Sequence, residues 1–210
     1  ILTSKTVRDV VRSYSENFIV EGFDSGSFDK NASRAAAELS TWANVAVIGS
    51  GLSKNNSEAV KDFAETSNIP LVVDADAIEP IITADFGKVV FTPHKAEAKP
   101  IKEKFGSIKN FADKKNAIVV LKGKKDKIYA PEHKFVNNTG HPTMTVGGSG
   151  DVLAGIIGGL ISQGLKCSEA AKLGAWINGR AGEKAAEELG NSALATDIIA
   201  KIPEILTEKR

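Results

Sequence analysis

One glycine-rich stretch holds the residue types of this sequence that are best suited to chemistry. In "TVGGSGDVLAG", which begins at Thr145, four glycines fall within nine positions around Asp151. Apolar residues then recur at three-to-four spacing, which predicts a helix that begins near Gly150. A helix N-terminus carries unpaired N–H groups and partial positive charge, and glycine lets the backbone come close to a ligand. The stretch is therefore typical of a cradle for phosphate or another oxyanion.

Asp151 itself has two interpretations on spacing alone. It is a reactive carboxylate at the start of the helix, or it is a capping carboxylate beside a tight glycine turn. The stretch is not a Walker A loop, because no Gly-Lys-Ser/Thr follows it, and it is not a GxGxxG fingerprint after the first strand. The residue types leave both interpretations open.

The elements that would position this stretch are apolar runs that alternate with amphipathic segments. The runs lack polar residues until their ends, as expected of parallel strands with both faces buried, and they span 44–51, 69–77, 88–94 and 117–123. A short antiparallel hairpin is predicted over 127–138, and long helices over 150–163 and 168–189. The last helix is expected to open with a serine cap and to end at Gly190. The sequence predicts one domain over 1–210, a three-layer α/β fold with a mostly parallel sheet and helices on both faces.

Polar residues and glycines follow each predicted strand, at the end where ligands bind in such folds. The carboxyl ends of parallel strands meet at one edge, so these residues should line one crevice together with the glycine-rich helix start. They are Gly49, Gly51, Asp74, Asp76, His94, Lys122 and Gly123. We interpret Asp74 and Asp76 as capping the end of the sheet, outside the core of the site.

The composition is that of a globular domain in a reducing compartment. The chain has 210 residues, 42% of them hydrophobic and 25% charged, which is enough for a substantial core. A net charge of +1 gives no indication of a nucleic-acid partner, and we interpret the basic run 122–127 as a solvated hairpin. The single cysteine, Cys167, excludes an internal disulfide framework. No signal peptide or membrane-length apolar stretch is found, so we expect a soluble cytoplasmic protein without a membrane partner.

Together these segments resemble the ADP/ATP-dependent NAD(P)H-hydrate dehydratases of the ribokinase-like superfamily. "VIGSGL" resembles the family's Gly-Pro-Gly-Leu loop, "VVDADAI" its strand ending in Asp-Ala-Asp, "FTPHKAE" its Thr-Pro-His-Pro-Gly-Glu and "VVLKG" its Leu-Lys-Gly. "NTGHPTMTVGGSGDVLAGIIGGLISQG" resembles its long glycine-rich signature. The Gly-x-Gly-Asp core identifies only the superfamily, whereas the long signature with Thr-Pro-His upstream is much more specific. The resemblance runs over the whole chain and implies a ribokinase-like fold.

The resemblance implies repair of hydrated NADH or NADPH, with ADP or ATP as phosphoryl donor. The nucleotide phosphorylates the hydroxyl that water has added to the nicotinamide ring, and loss of phosphate then restores the dihydronicotinamide. Asp151 fits the base that accepts the hydroxyl proton. The anion hole would be formed by backbone N–H groups of Gly148, Ser149 and Gly150. The residues expected to contact the hydrated dinucleotide are Gly51, His94 and Asp151.

By the same resemblance, the nucleotide lies on the turn after the fourth strand. Its expected contacts are Lys122, Gly123, Lys124, Lys125, Asp126 and Gly150. Glu97 lies where related kinases keep a glutamate that organises Mg²⁺ through water, so Mg²⁺ is an expected cofactor. On the residues alone, Glu97 is equally an ordinary charge in the first turn of a helix, and His94 a solvated histidine at a strand end.

Several positions depart from the family pattern. Ser50 replaces the usual proline, Lys95 and Ala96 replace Pro-Gly, His141 replaces asparagine, and Asn178 stands where many members have histidine. These changes concern the shape of the nucleotide pocket rather than the residues assigned to the chemistry.

Three other functions compete with the dehydratase. A small-molecule kinase of hydroxyethylthiazole or sugar type would share the Gly-x-Gly-Asp core, but His94 and the long signature speak against it. A dinucleotide-dependent oxidoreductase would need a glycine fingerprint with an acidic residue about twenty positions further on, and "VIGSGL" supplies too little. A catalytically silent nucleotide-binding regulator is opposed by the intact Gly-Gly-Ser-Gly-Asp. The residues leave the choice between ADP and ATP open, and the resemblance implies a homo-oligomer, a tetramer.

The start of the sequence predicts a missing segment. The only methionine is Met144, and Ile1 is not a small residue of the kind that follows a removed initiator methionine. Members of the family open with a glycine-rich strand and an alanine-rich helix that flank the substrate, and nothing in this chain resembles them. We therefore expect a longer polypeptide whose N-terminal segment completes the sheet and covers part of the dinucleotide pocket.

Overall fold

The structure is a computed structural model that describes residues 1–52 and 56–208 of the chain. Its strands are β1 (Leu2–Ser4), β2 (Glu21–Phe23), β3 (Ala46–Ile48), β4 (Leu71–Val73), β5 (Val89–Phe91), β6 (Ile118–Leu121), β7 (Asp126–Ala130) and β8 (His133–Asn137). Its helices are α1 (Lys5–Arg12), α2 (Lys30–Ser40), α3 (Ser57–Thr66), α4 (Ile78–Ile81), α5 (Lys99–Phe105), α6 (Ile108–Lys115), α7 (Ser149–Ser162), α8 (Cys167–Leu189) and α9 (Ala195–Thr207).

The central sheet has six strands in the order β3-β4-β5-β6-β7-β8. The first four are parallel, and β7 and β8 add an antiparallel hairpin beyond β6. β1 and β2 form a separate parallel pair. The predicted α/β fold with a mostly parallel sheet is confirmed.

Successive residues of each central strand are buried on opposite faces of the sheet. In β4, Leu71 and Val73 belong to an apolar cluster that includes α2 to α6, whereas Val72 belongs to a cluster with α7 and α8. β5 and β6 repeat this division. Side chains alternate between the two faces of a strand, so an uninterrupted apolar run requires helices on both sides. The three layers follow directly from this pattern.

All four predicted buried strands are present, but each is shorter than its apolar run. After β3 and β4, the ends of the runs leave the strand at glycines or in a turn. After β3, Gly49 and Gly51 have φ values of 134° and 72°. After β4, Asp74 precedes a 3₁₀ turn over Ala75–Ala77. The polar strand ends are therefore loops at the rim of the sheet.

The two long helices agree with the prediction in extent but not in capping. α7 starts and ends within one residue of the predicted bounds. The N-cap of α8 is Lys166, without a side-chain capping bond, and Ser168 lies inside the helix, so the predicted serine cap is wrong. The helix ends at Gly190, whose positive φ of 56° is readily adopted by glycine.

In the remaining segments, residues in turns determine where the strands and helices end. β7 and β8 form the predicted hairpin and are joined by Pro131 and Glu132. The amphipathic segment after β5 forms two helices, because Gly106 has a φ of 78° and ends α5. Ser107 then caps α6 by accepting a hydrogen bond from the Asn110 N–H.

β3 is the edge strand of the central sheet, and its Val47 is 48% exposed. A cavity of about 770 Å³, here called the edge cavity, lies between β3 and the β1–β2 pair and is lined by residues of all three strands. None of the helices in residues 1–52 and 56–208 is long and apolar enough to cross a membrane. The expected N-terminal segment lies outside this sequence and stays a prediction.

Candidate active site

The carboxyl ends of the parallel strands meet at one edge of the sheet, as predicted. After β3, Gly49 packs against the backbone that follows β4, where a Cβ on Gly49 would lie only 1.7 Å from the Asp74 carbonyl oxygen. After β6, Lys122 reaches the same aspartate with its side chain, Nζ to Oδ1 at 2.8 Å. Only glycine permits the first of these contacts, so the close approach of the strand ends depends on Gly49.

Asp74 is a buried carboxylate at the centre of this edge, with its side chain 4% exposed. It accepts hydrogen bonds from Thr92 Oγ1 and from Lys122 Nζ, both at 2.8 Å. A buried carboxylate needs such partners, and the pair holds the Lys122 ammonium in one place. The interpretation of Asp74 as a sheet-end cap outside the site therefore has to be revised, because it directly contacts a predicted nucleotide-binding residue.

Glu97 and His94 form a compact turn after β5. The Glu97 carboxylate accepts a hydrogen bond from the backbone N–H of His94 at 2.7 Å. The His94 Nδ1 accepts from the N–H groups of Ala96 and Glu97, both at 3.1 Å. Glu97 Oε2 also lies 3.8 Å from Lys122 Nζ. Glu97 precedes α5, so it is not a first-turn helix charge, and it flanks Lys122 together with Asp74.

The glycine-rich stretch forms the start of α7, as predicted. Gly148 is the N-cap and has a φ of 91°, and no side chain caps the helix. The Val152 N–H donates to the Gly148 carbonyl at 3.0 Å, which closes the first turn. The Ser149 N–H donates to the Val146 carbonyl at 3.4 Å, so of the three N–H groups expected in the anion hole, that of Ser149 already has a backbone partner. A Cβ on Gly150 would lie 3.0 Å from Lys122 Nζ. The helix terminus and an ammonium group therefore act on the same space, which favours an anion there.

Asp151 is exposed in the first turn of α7. Its carboxylate accepts a hydrogen bond from Ser50 Oγ, in the turn after β3. Within residues 1–52 and 56–208, Ser50 is the only side chain for which a hydrogen bond or ion pair to this carboxylate is found. Because Gly148 is the N-cap, the structure does not support the interpretation of Asp151 as a simple helix cap.

Asp151 lines neither of two nearby cavities, but a neighbour of Asp151 lines each of them. One of about 970 Å³, here called the loop cavity, is lined by the turn after β6, the loop 138–146 and the start of α7, and includes Lys122, Gly123, Lys124, Lys125, Asp126, Ser149 and Gly150. The edge cavity is lined by Gly49, Ser50 and Gly51. Asp151 is linked to the first through its neighbour Gly150 and to the second through Ser50. A carboxylate with one neighbour in each of two cavities can serve a reaction between two ligands.

The predicted ligand contacts divide unevenly between these cavities. All six residues expected at the nucleotide line the loop cavity. Of those expected at the hydrated dinucleotide, Gly51 lines the edge cavity but His94 lines the loop cavity. The assigned roles of these residues stay predictions.

Asp126 shapes the turn at the mouth of the loop cavity. Its carboxylate accepts hydrogen bonds from the Gly123 N–H at 3.1 Å and from Asn137 Nδ2 at 3.3 Å. Burial raises the pKa of Asp126, against the opposing effects of these two bonds and of the Lys122 charge. Lys124 and Lys125 are exposed at the tip of the same turn. Asp126 therefore holds the turn in shape, while the two lysines provide positive charge at its surface.

Asn178 places a buried amide in the wall of the loop cavity. Its side-chain oxygen has no hydrogen-bond partner in the part of the chain that the structure describes. A buried carbonyl oxygen without a partner destabilises the fold, so such a group is typically kept for a ligand or a water.

The carboxylates at this edge fit a magnesium ion bound with a nucleotide rather than a metal cage made by protein alone. Among the described residues, no group of three or more His, Cys, Asp or Glu side chains could hold a metal ion. Asp74 and Glu97 are the carboxylates beside Lys122. In nucleotide sites Mg²⁺ uses one or two carboxylates, phosphate oxygens and several waters, so two are sufficient.

Sequence reasoning missed Asp74 and Ser50. An aspartate directly after a fully apolar strand is a signal that could have identified Asp74 as a buried, paired carboxylate. Ser50 was noted only as a departure from a family pattern, and no local signal connects it to Asp151, which lies 101 positions further along the chain.

Comparison with known proteins agrees with this geometry. Residues 1–204 match the family model described as NAD(P)H-hydrate dehydratase. A protein of Haloterrigena turkmenica named ADP-dependent (S)-NAD(P)H-hydrate dehydratase is 38% identical over 205 residues, which cover 98% of this chain and 80% of that protein.

Solved structures extend the comparison to the fold. A ribokinase-like superfamily protein from Enterococcus faecalis superposes with a TM-score of 0.82 at 23% identity, over 98% of this chain and 75% of the other. An ADP/ATP-dependent NAD(P)H-hydrate dehydratase from Bacillus subtilis, co-crystallised with ATP and Mg²⁺, gives a TM-score of 0.74 at 22% identity, over 96% of this chain and 76% of the other. These structures confirm the ribokinase-like fold. The family model matches almost the whole chain and a relative at 38% identity extends over it, so the chain belongs to the NAD(P)H-hydrate dehydratase family.

Proposed function

We propose that this protein dehydrates hydrated NADH and NADPH in a reaction that consumes ADP, with Asp151 as the base. The observation that carries the proposal is the position of Asp151. Its chain neighbour Gly150 lines the cavity of the predicted nucleotide residues, and its hydrogen-bond partner Ser50 lines the cavity that includes Gly51. Membership of the dehydratase family supports the same substrate, and the relative at 38% identity is named as ADP-dependent.

In the first step, the ring hydroxyl of the hydrated dinucleotide attacks the terminal phosphorus of ADP. The hydroxyl proton passes to the Asp151 carboxylate, the new O–P bond forms, and AMP leaves. In the second step, the ring C–O bond breaks, inorganic phosphate leaves, and a proton lost from the neighbouring ring position restores the double bond. The two steps together remove one water from the dinucleotide and convert ADP to AMP and phosphate.

Positive charge at the cradle would stabilise the phosphoryl group during transfer. The Lys122 ammonium lies beside Gly150 and is held there by Asp74. The N–H groups at the start of α7 add the partial positive charge of a helix terminus to the same space. Mg²⁺, organised through water by Glu97, would neutralise charge on the nucleotide phosphates when bound.

One assay tests the proposed function. Hydrated NADH is incubated with the protein, Mg²⁺ and either ADP or ATP, and the NADH absorbance is followed together with released phosphate. We expect recovery of NADH with one phosphate released for each NADH formed, and faster recovery with ADP than with ATP. Consumption of nucleotide without recovery of NADH would favour the kinase alternative. No recovery with either nucleotide would overturn the proposal.

The role of the base is tested by Asp151→Asn. Asparagine keeps the shape and can still accept the Ser50 hydrogen bond, but it does not take up a proton. The rate of NADH recovery should fall on the order of a hundredfold to ten-thousandfold, with ADP affinity nearly unchanged by calorimetry. Asp24→Asn, at an exposed carboxylate paired with Lys5, is the matched control. An Asp151→Asn variant as fast as the parent would exclude Asp151 as the base.

The family resemblance also predicts a homo-oligomer, a tetramer, and we include this state in the proposal. Light scattering of the purified protein measures it directly, and a monomer at micromolar concentration would contradict it.

A further inference from the structure

We infer that Ser50 is a positioning residue for the base: its hydroxyl holds one carboxylate oxygen of Asp151 and leaves the other free for the substrate proton. This inference rests on the proposed function of Asp151. The observation that carries it is the hydrogen bond from Ser50 Oγ to Asp151 Oδ1. An ionised carboxylate can only accept, so the hydroxyl is the donor.

The turn that carries Ser50 is held firmly against the sheet. Gly49 and Gly51, on either side of it, both have positive φ, and the Leu52 N–H donates to the Gly49 carbonyl at 3.3 Å. Gly49 lies so close to the backbone of Asp74 that no Cβ fits between them. Ser50 therefore stands on a tight turn whose position is set by β4, so its hydroxyl is directed by the fold rather than by a mobile loop.

The helix that carries Asp151 is also placed by packing against β3. Gly158, two turns along α7, lets the helix approach so closely that a Cβ there would lie 2.6 Å from Val47 Cγ2. Leu153 and Ile157 of the same helix are buried against the sheet. Ser50 lies in the turn after β3, so the hydroxyl and the carboxylate face each other across two elements whose spacing is determined by core packing.

The chemical consequence concerns which oxygen of the base is available. With Oδ1 engaged by Ser50, Oδ2 is the oxygen left for the ring hydroxyl. Asp151 is exposed, and its carboxylate would otherwise rotate among orientations in solvent. Rates depend strongly on whether the reacting atoms are held in the productive geometry, so one directed hydrogen bond to a base raises kcat without contributing to substrate affinity.

The family pattern does not assign this role, because proline stands at the position of Ser50 in the resembling loop. Proline has no hydroxyl and stiffens the loop instead. The Ser50–Asp151 contact is therefore a feature of this chain.

Three variants test the inference in the NADH-recovery assay. Ser50→Ala removes the hydroxyl at an exposed position, and Ser50→Thr retains it. Ser162→Ala, which removes a hydroxyl bonded to Gly159 near the end of α7, is the matched control. We expect kcat of Ser50→Ala to fall about tenfold, as for loss of a hydrogen bond to a charged group, with KM for the hydrate and ADP affinity nearly unchanged. Ser50→Thr should restore most of the rate, and Ser162→Ala should behave as the parent.

Other results would overturn it. An unchanged kcat in Ser50→Ala would mean that the hydroxyl has no role in catalysis. A higher kcat would mean that the hydroxyl competes with the substrate for the Asp151 carboxylate. A loss found only in KM would make Ser50 a substrate contact. An equal loss in Ser50→Thr would attribute the effect to the shape of the turn.

A second measurement does not depend on activity. Crystal structures of the parent and Ser50→Ala at atomic resolution should show one orientation of the Asp151 carboxylate in the parent and several in the variant. A single, unchanged orientation in both would refute the positioning role. The parent protein could fail to recover NADH while the crystal structures still show that the orientation of Asp151 depends on Ser50. In that case the proposed function is wrong, and the positioning of Asp151 by Ser50 remains supported.

Discussion

The Lys122 ammonium lies 2.8 Å from the buried carboxylate of Asp74. The two residues are 48 positions apart and meet because both follow parallel strands of one sheet. Asp74 is also bonded to Thr92, so the carboxylate is anchored and the longer lysine side chain is the part that it restrains. The pair thereby directs a positive charge at the start of α7, next to Gly150.

Asp74→Asn should impair catalysis through Lys122. The amide keeps the shape of the carboxylate but removes its charge, so the ammonium loses its anchor. We expect kcat in the NADH-recovery assay to fall on the order of tenfold to a hundredfold. The free energy of unfolding, measured in urea, should fall by about 2 kcal/mol, less than for a fully buried pair because the Lys122 side chain is 20% exposed.

Asp76→Asn is the control for this variant. Asp76 follows the same strand, is half-buried, and makes no side-chain hydrogen bond or ion pair that the structure describes. Its kcat and its free energy of unfolding should both stay near those of the parent. Equal losses in the two variants would show that the effect comes from the strand end in general rather than from Lys122.

Gly150→Ala should weaken both nucleotide binding and turnover. Gly150 does not have a positive φ, so the reason is space rather than backbone strain: the new Cβ would lie 3.0 Å from Lys122 Nζ. The ammonium must shift away from the cradle. Calorimetry should show ADP affinity reduced on the order of tenfold, as expected for a weakened charge-assisted contact.

Gly155→Ala, one turn further along α7, separates this effect from helix propensity. No atom would lie within 4 Å of a Cβ at Gly155, and the residue is exposed. Alanine in a helix interior should raise the free energy of unfolding by up to about 1 kcal/mol with activity unchanged. Unchanged ADP affinity in Gly150→Ala would remove the assignment of this helix start as an anion cradle.

His94→Ala should raise KM for the hydrated dinucleotide about tenfold and alter ADP affinity much less. The reason is the predicted contact of His94 with the dinucleotide. Its Nδ1 also accepts hydrogen bonds from two backbone N–H groups of its own turn. Steady-state kinetics with each ligand varied in turn provides both values. His133→Ala, at an exposed histidine at the start of β8, is the control. Equal changes for both ligands would place His94 with the nucleotide, whose cavity it lines.

Asn178→Leu should stabilise the ligand-free protein and weaken nucleotide binding. Leucine has the same branched skeleton as asparagine, although it is larger, and it removes the buried oxygen that has no described partner. The free energy of unfolding should rise by about 1 kcal/mol, while ADP affinity falls severalfold if the amide contacts the nucleotide. Urea denaturation and calorimetry measure the two effects. A destabilised variant would mean that the amide is satisfied by bound water in the free protein.

The free energy of unfolding of Asp126→Asn should increase relative to that of the parent as the pH rises. Burial raises the pKa of Asp126 in the folded protein above its unfolded value of about 4. The parent therefore loses stability as the pH rises from the unfolded to the folded pKa, because the buried carboxyl must ionise, and asparagine has no such loss. Urea denaturation of both proteins between about pH 4 and pH 7 tests the sign. A difference in unfolding free energy that is constant with pH would show that Asp126 ionises equally easily in both states.

The sequence by itself determined the layers of the fold and the start of α7. Four uninterrupted apolar runs required a sheet buried on both faces, and the alternation in β4 and β5 shows why. The glycines before Asp151 predicted where α7 begins within one residue, since helix starts and tight turns depend on local residue types. Strand ends were less accurate, because an apolar residue at the rim, such as Ala77 in the 3₁₀ turn after β4, is buried without being in the sheet.

Only the tertiary structure decided which side chains pair across the rim. Lys122 meets Asp74, and Ser50 meets Asp151, over separations of 48 and 101 positions. Local patterns carry no information about such pairs, since they depend on the order of strands in the sheet and on how closely α7 packs against β3. The same reason explains why His94 lines the cavity of Lys122 rather than that of Gly51. Residue types indicated the chemistry. The close approach of two strand ends, permitted by Gly49, and of α7 to β3, permitted by Gly158, placed the partners of the reactive residues.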